Sequence, residues 1–413
     1  MNRRAFVRRV GVGSSVGVAG LAGCFTREES DDPQEDTDNG PADDALRVAT
    51  YSSMVTGETS AGAWLKETFE EEYDADLRWR VPEAGIDHFI RRGELETSLG
   101  ADVYLGLTAG DLVRIDDALS AGALFERIDR EVLEHDQRIR SDLAFDDPAN
   151  RVLPFETGYL SLIFDENEFG SEPPETFDAL LEEDTAGTLL AQDPRTSNPG
   201  LAFLLWTIAE YGDDYLEYWQ ALADNGLEVH DNWSDAYRTY LAGERPLVVS
   251  YSSDPVGAAE AGRDLTRHQT TSLEGQYFQV TEGIGVFETT PRPELAYEFI
   301  DFVLSETAQA ELALRNVQYP AVDEAYVELP AAFDDLGDEP TETQAVTADY
   351  DDLSVSLPAW LEEWETEFGD EWADVTPPEP PETDDETDET VFDNATDDMA
   401  AEPDTQSVNE TDG

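Results

Sequence analysis

Between Leu46 and Leu107 the chain alternates extended and helical patterns, and this order restricts its fold more than any other feature. Leu46-Arg47-Val48-Ala49-Thr50-Tyr51 reads as a short strand. Residues 64–73 have helical spacing, with Trp64, Leu65, Thr68, Phe69 and Glu72 near one another. Residues 77–81 predict a second strand and residues 86–95 a second helix. Ala101-Asp102-Val103-Tyr104-Leu105-Gly106-Leu107 predicts a buried strand. A β-α-β-α-β order calls for a mainly parallel sheet with helices on its faces. Two adjoining extended segments follow, 152–155 and 159–164. A second strand–helix series then includes residues 201–211, 216–223, 247–251 and 297–304. Two α/β series predict two lobes with a cleft between them, where ligands favour binding.

In open sheets of this kind, ligands sit beyond the carboxyl ends of the strands. Four turns right after extended runs are therefore candidate cleft residues. They are Tyr51-Ser52-Ser53, Glu156-Thr157-Gly158-Tyr159, Asp193-Pro194-Arg195-Thr196-Ser197-Asn198-Pro199-Gly200 and Tyr251-Ser252-Ser253-Asp254. Glu156 lies at the expected crossing between lobes, where a hinge or surface role and a ligand contact are both open. Ser197-Asn198-Pro199-Gly200 reads as an N-cap and first helical turn, whose free N–H groups suit a hydroxyl or a phosphate. Asp254-Pro255 reads as an N-cap followed by proline at the first helical position. Trp233 stands in a polar run, Asp231-Asn232-Trp233-Ser234-Asp235, which favours a site over ordinary core. Arg195 reads first as a structural partner of Asp193.

Composition removes several function classes. The 413 residues carry 24 basic and 95 acidic side chains, a net charge of −71, and Lys66 is the one lysine. Phosphate-backbone recognition needs Lys and Arg, so nucleic acid is excluded as a partner, as is docking on an anionic lipid surface. With 40% hydrophobic and 10% aromatic residues there is material for real cores, so the acidity reads as a solvated surface suited to high salt. No P-loop and no Gly-x-Gly-x-x-Gly follows a strand. His88, His135, His230 and His268 are scattered, and no Gly-x-Ser-x-Gly elbow occurs, so an exported enzyme is the weakest reading. No cofactor and no metal site is expected.

The ends read differently. Residues 1–24 resemble an export signal, with Arg3-Arg4-Ala5-Phe6 as a twin-arginine element and Leu21-Ala22-Gly23-Cys24 as a lipobox. Cys24 is the single cysteine and is expected to become the lipidated N-terminus, anchoring the protein to the outer face of the membrane. Residues 25–45 read as an acidic linker and 373–413 as an unstructured acidic tail, with weak sequons at Asn394 and Asn409.

Several of these runs together resemble the thiamine-binding periplasmic protein family. They are Gln192 to Gly200, Leu204-Leu205-Trp206, Tyr211-Gly212-Asp213-Asp214, Trp233-Ser234-Asp235-Ala236-Tyr237, Ser250 to Pro255, and Tyr319-Pro320-Ala321-Val322, in order over residues 46–335. The resemblance implies a two-lobed type II periplasmic-binding-protein fold. One lobe is expected at 46–153 plus 281–318, the other at 154–280 plus 319–372. It implies a monomeric receptor that hands thiamine or a thiamine phosphate to the permease and ATPase of an ABC importer. Its pocket implies Gly85, Ser197, Trp233, Tyr251, Ser252, Ser253 and Asp254, with Tyr51 as a further wall. Ala84 stands where the family has a carboxylate, and Val317 where it has a tryptophan. A thiazolium cation calls for aromatic faces and a carboxylate. Trp233 and Tyr251 are expected to supply the faces, with Tyr277 a further candidate, and Asp254 the counter-charge. The alternative cargo is another small cation, such as a polyamine, or ferric ion.

Overall fold

A computed structural model describes residues 44–377 except 83, 121, 171, 342 and 374. The signal, Cys24 and the two sequons lie outside the described residues.

The first series forms as its periodicity predicts. It runs β1 (Leu46–Ala49), α1 (Ser52–Val55), α2 (Ala61–Tyr73), β2 (Leu77–Arg80), α3 (Ile86–Glu94), β3 (Val103–Leu107) and α4 (Ala109–Ala118). β1 pairs in parallel with β2 on one side and β3 on the other. The helix expected at 64–73 starts at Ala61, because the Ser60 hydroxyl accepts from the Ala63 N–H at 3.1 Å and caps the first turn. α4 opens with a reciprocal cap, Thr108 and Asp111 each bonding the other's backbone N–H.

The chain then crosses the molecule in β4 (Leu153–Phe164), twelve residues buried throughout. Two adjoining segments were expected here, since Glu156-Thr157-Gly158 reads as a polar turn. They form one strand because a partner strand accepts these residues in register.

The second series follows as α5 (Glu166–Phe169), β5 (Leu189–Gln192), α6 (Asn198–Tyr211), α7 (Tyr215–Asp224) and β6 (Glu228–His230). It continues with α8 (Trp233–Leu241), β7 (Leu247–Tyr251), α9 (Asp254–Glu260) and β8 (Gln269–Thr271). β9 (Tyr277–Val286) then returns antiparallel along β4, from Leu153 opposite Ile284 to Leu160 opposite Phe278. The rest is α10 (Pro293–Val303), α11 (Glu306–Asn316), β10 (Tyr319–Pro320), α12 (Ala331–Leu336), β11 (Ala345–Val346), α13 (Tyr350–Leu353) and α14 (Leu357–Phe368).

The main strand order is β2-β1-β3-β9-β4-β7-β5-β6. Each series therefore builds one half, and the halves share β9 and β4 in the middle. Leu65, Phe69, Phe299 and Phe302 pack the first half; Phe177, Phe203, Trp206 and Trp219 pack the second. α6 is buried from Pro199 to Thr207, as suits a helix enclosed on most sides. The C-terminal helices touch both halves. The Tyr350 hydroxyl donates to Asp116 in α4 at 2.7 Å, while Trp364 meets Trp219 edge-on at 5.4 Å. No described helix is long and apolar enough to cross a membrane.

Candidate functional site

Where the halves join, β4 and β9 set two carboxylates side by side. Glu156 and Glu282 are direct cross-strand partners, 2% and 8% exposed. Like charges at opposed ladder positions repel, and more so when buried. Three neutral donors reach them. The Tyr51 hydroxyl and the Asn316 amide donate to Glu156 Oε1 at 3.1 and 2.7 Å, and Asn316 also donates to the Tyr51 oxygen at 2.9 Å. Asn198, in the first turn of α6, donates to Glu282 Oε1 at 3.4 Å. The second oxygens, Glu156 Oε2 and Glu282 Oε2, are buried without a hydrogen-bond partner. Burial first, and then the neighbouring Glu282, raise Glu156 well above the usual carboxylate range. Burial pushes Glu282 up to about 7. The pair therefore retains a proton near neutrality.

Two tyrosine rings lie over glycines beside this pair. A Cβ on Gly106 (φ +109°) would come within 2.7 Å of the Tyr51 ring. A Cβ on Gly158 would come within 2.8 Å of the Tyr251 ring and would collide with the Gln318 carbonyl oxygen. Glycine at these two positions is what lets each ring settle on the sheet. Burial and the two glutamates raise both phenols well above their ordinary value, so both stay protonated. Asn316 and Gln318 flank Val317, a β-branched residue held at φ +54°, where the left-handed region disfavours it. Gln318 Oε1 is a third buried oxygen without a partner.

A cavity of about 240 Å³ lies between the halves, and neither of the two acids nor either tyrosine lines it. Thr108 and Gly110 line it from the first half, Asn198 and Leu201 from the second, Val280 from β9 and Leu353 from α13.

The remaining expected site residues take other places. Gly85 caps α3 with φ +50°, and a Cβ there would lie 3.8 Å from the Tyr104 hydroxyl. Ser197 is the N-cap of α6, as expected, but its hydroxyl makes no capping bond. Ser252 and Ser253 are buried, and their hydroxyls donate at 2.6 Å to the backbone oxygens of Asp338 and Val317. They tie β7 to the returning chain.

Asp254 requires correction on one point, the N-cap. It is the first residue of α9, and Ser253 holds the N-cap. Both its oxygens are engaged, one by the Tyr237 hydroxyl and the other by His268 Nδ1 at 2.7 Å. A carboxylate offers about four acceptor positions, so these two hydrogen bonds leave capacity for a ligand cation. Trp233, expected as an aromatic wall, is half-buried. Its indole N–H donates to Ser250 Oγ at 3.0 Å and its ring stacks on Tyr237 at 4.6 Å. Ser250 and Tyr251 are consecutive in β7 and project to opposite faces of the sheet. Tyr277 donates its hydroxyl to Asp338 and packs in a separate cluster with Tyr319 and Phe333. Arg195 pairs with Asp193 and Glu365 and lies 5.5 Å from the Trp364 ring, the structural role expected of it.

Glu282, Asn316 and Gln318 went unnoticed in the sequence, and Glu156 was left open. A signal existed for Glu282. It occupies the same alternating position as Phe278 and Val280 in a strand, so it points where those apolar side chains point. Among the described residues no group of three metal-ligating side chains occurs. The arrangement sets two buried acids, each with an oxygen that lacks a hydrogen-bond partner, beside two tyrosine rings.

The family described as bacterial extracellular solute-binding protein matches residues 110–338. A thiamine-binding periplasmic protein of Escherichia coli strain K12 is 32% identical over 324 residues, covering 78% of this chain and 92% of the relative. One from Brucella suis biovar 1 is 30% identical over 325 residues, with the same coverage of 78% and 92%. A solved structure titled periplasmic thiamin binding protein is 29% identical, with a TM-score of 0.68 over 78% of this chain and 96% of that one.

Proposed function

The chain belongs to the thiamine-binding periplasmic protein family of extracellular solute-binding proteins, and from that premise we propose that it captures thiamine or a thiamine phosphate for an ABC importer. Its fold is the two-lobed type II periplasmic-binding fold, and its relatives bind solutes rather than transform them. The permease and ATPase subunits of the importer are its partners in this reading. The lobes divide near 153 and 281, inside the shared strands β4 and β9.

The observation that carries the cargo is the buried Glu156/Glu282 pair beside Tyr51 and Tyr251, with an unpartnered oxygen on each acid. A flat ring with a fixed positive charge satisfies both needs of that site. Each aromatic face contributes about 0.5–2 kcal/mol to a desolvated cation. The carboxylates take the place of the absent acid at Ala84. The first turn of α6 at Asn198 borders the cavity and suits the hydroxyethyl arm or its phosphate.

Calorimetric titration in high salt with thiamine, its monophosphate and its diphosphate, against spermidine and ferric ion, tests the assignment. Thiamine compounds are expected to bind most tightly. A tighter ferric or spermidine complex would transfer the site to that cargo. Lipidation of Cys24 completes the reading, and Cys24→Ala is expected to release the protein from membranes into the soluble fraction.

A further inference from the structure

We propose that Glu156 and Glu282 form a proton-for-cation exchange site: the pair shares a proton while no ligand is bound and releases it to solvent when an organic cation settles against the two carboxyl groups. The inference rests on the cargo reading above and adds the chemistry of its charge.

Geometry makes the pair act as a unit. Facing ladder positions on two hydrogen-bonded strands fix the acids next to each other. Their surroundings offer dipoles. Tyr51 faces them from the end of β1, Tyr104 from β3, Asn198 from α6, Tyr251 from β7 and Asn316 from the end of α11. Asp111, from the first turn of α4, adds a further carboxylate field on Glu282. Arg114, the nearest cation to Asp111, divides its guanidinium between Asp111 and Asp87. Two negative charges cannot both be held in so dry a place without a counter-ion.

Charge balance follows directly. The empty pair with one proton carries −1. A monovalent cation binds, the shared proton leaves, and two ionised carboxylates plus one positive ring again carry −1. The buried charge is the same before and after, which removes the main electrostatic cost of taking a cation out of water. Hydrogen bonds at the Oε1 atoms persist, and the buried Oε2 atoms exchange the shared proton for the cation.

The sign of the pH effect is fixed by this exchange. Where the pair is protonated, binding competes with a proton, so affinity rises tenfold per pH unit. The rise flattens above the value at which the empty pair ionises. With Glu282 pushed up to about 7 and Glu156 raised well above the usual carboxylate range, the steep region includes neutral pH.

The experiment is calorimetry of thiamine binding at pH 7.5 in high salt, in two buffers of different ionisation enthalpy. About one proton released per ligand is expected, falling toward zero in Glu156→Gln, where the amide replaces the shared proton. Thiamine binding with no proton release in the natural protein overturns the exchange and leaves the cargo reading standing. Release that is unchanged in Glu156→Gln overturns it as well. Absence of any thiamine binding overturns both. Circular dichroism checks that the variant is folded, and if it is not, the proton count of the natural protein decides alone.

Discussion

At the scale of single residues, carboxylates that look alike in the sequence have unlike work. Asp254 joins β7, α8 and the segment before β8 through Tyr237 and His268. Removing its charge leaves two buried partners badly matched, which costs about 1–3 kcal/mol. Asp254→Asn is therefore expected to lower the denaturation midpoint while leaving thiamine affinity within about threefold. Tyr251→Ala is expected to do the reverse, weakening binding tenfold or more, about 1.4 kcal/mol, with a smaller loss of stability. Equal affinity losses for both variants would place Asp254 in the pocket. The difference was not legible in the sequence. With 95 acidic residues, a buried acid has no contrast against the solvated ones. Asp254 drew attention because it precedes a proline, whereas Glu282 stands in a strand that reads as plain core.

At the scale of elements, alternation and helical spacing carried the reading. β1, β2, β3, α3 and β7 lie within a residue or two of where the pattern puts them. The failure was β4, whose polar centre imitates a turn. Period-2 logic would have joined the two pieces, because Glu156, Gly158, Leu160 and Leu162 keep one phase along the strand. What hid this was tertiary, namely the answering run Thr281-Glu282-Gly283 in β9, more than a hundred residues later. The gap beside Gly158 is filled by Tyr251 and Gln318. Gly158→Ala is expected to force these side chains from their places and destabilise the fold by about 1–3 kcal/mol, read as a lower melting temperature. It should also loosen thiamine binding. An unchanged melting temperature with unchanged binding would mean that the crossing strand yields at no cost.

At the scale of the molecule, the two-lobed plan was legible, because two strand–helix series in succession leave few other arrangements. The strap of α13 and α14 across both halves was not, since its contacts with α4 and α7 join elements far apart in sequence. The charge of −71 acts at this scale as well. We infer that mutual repulsion of surface carboxylates opposes compaction and that concentrated salt relieves it. The unfolding midpoint is expected to climb steeply from about 0.1 M to molar potassium chloride. A flat profile would show that the acidity burdens the folded state no more than the unfolded one.

The shared strands have one more consequence. Any rocking of one half against the other pivots on β4 and β9, and hydrogen-bonded ladders hold their spacing as they twist. The two acids thus sit at the fulcrum, and their separation is the same whether the jaws gape or shut. In the proposed reading, ligand charge is met at the point that moves least, and any change of shape on capture is largest at the outer rims.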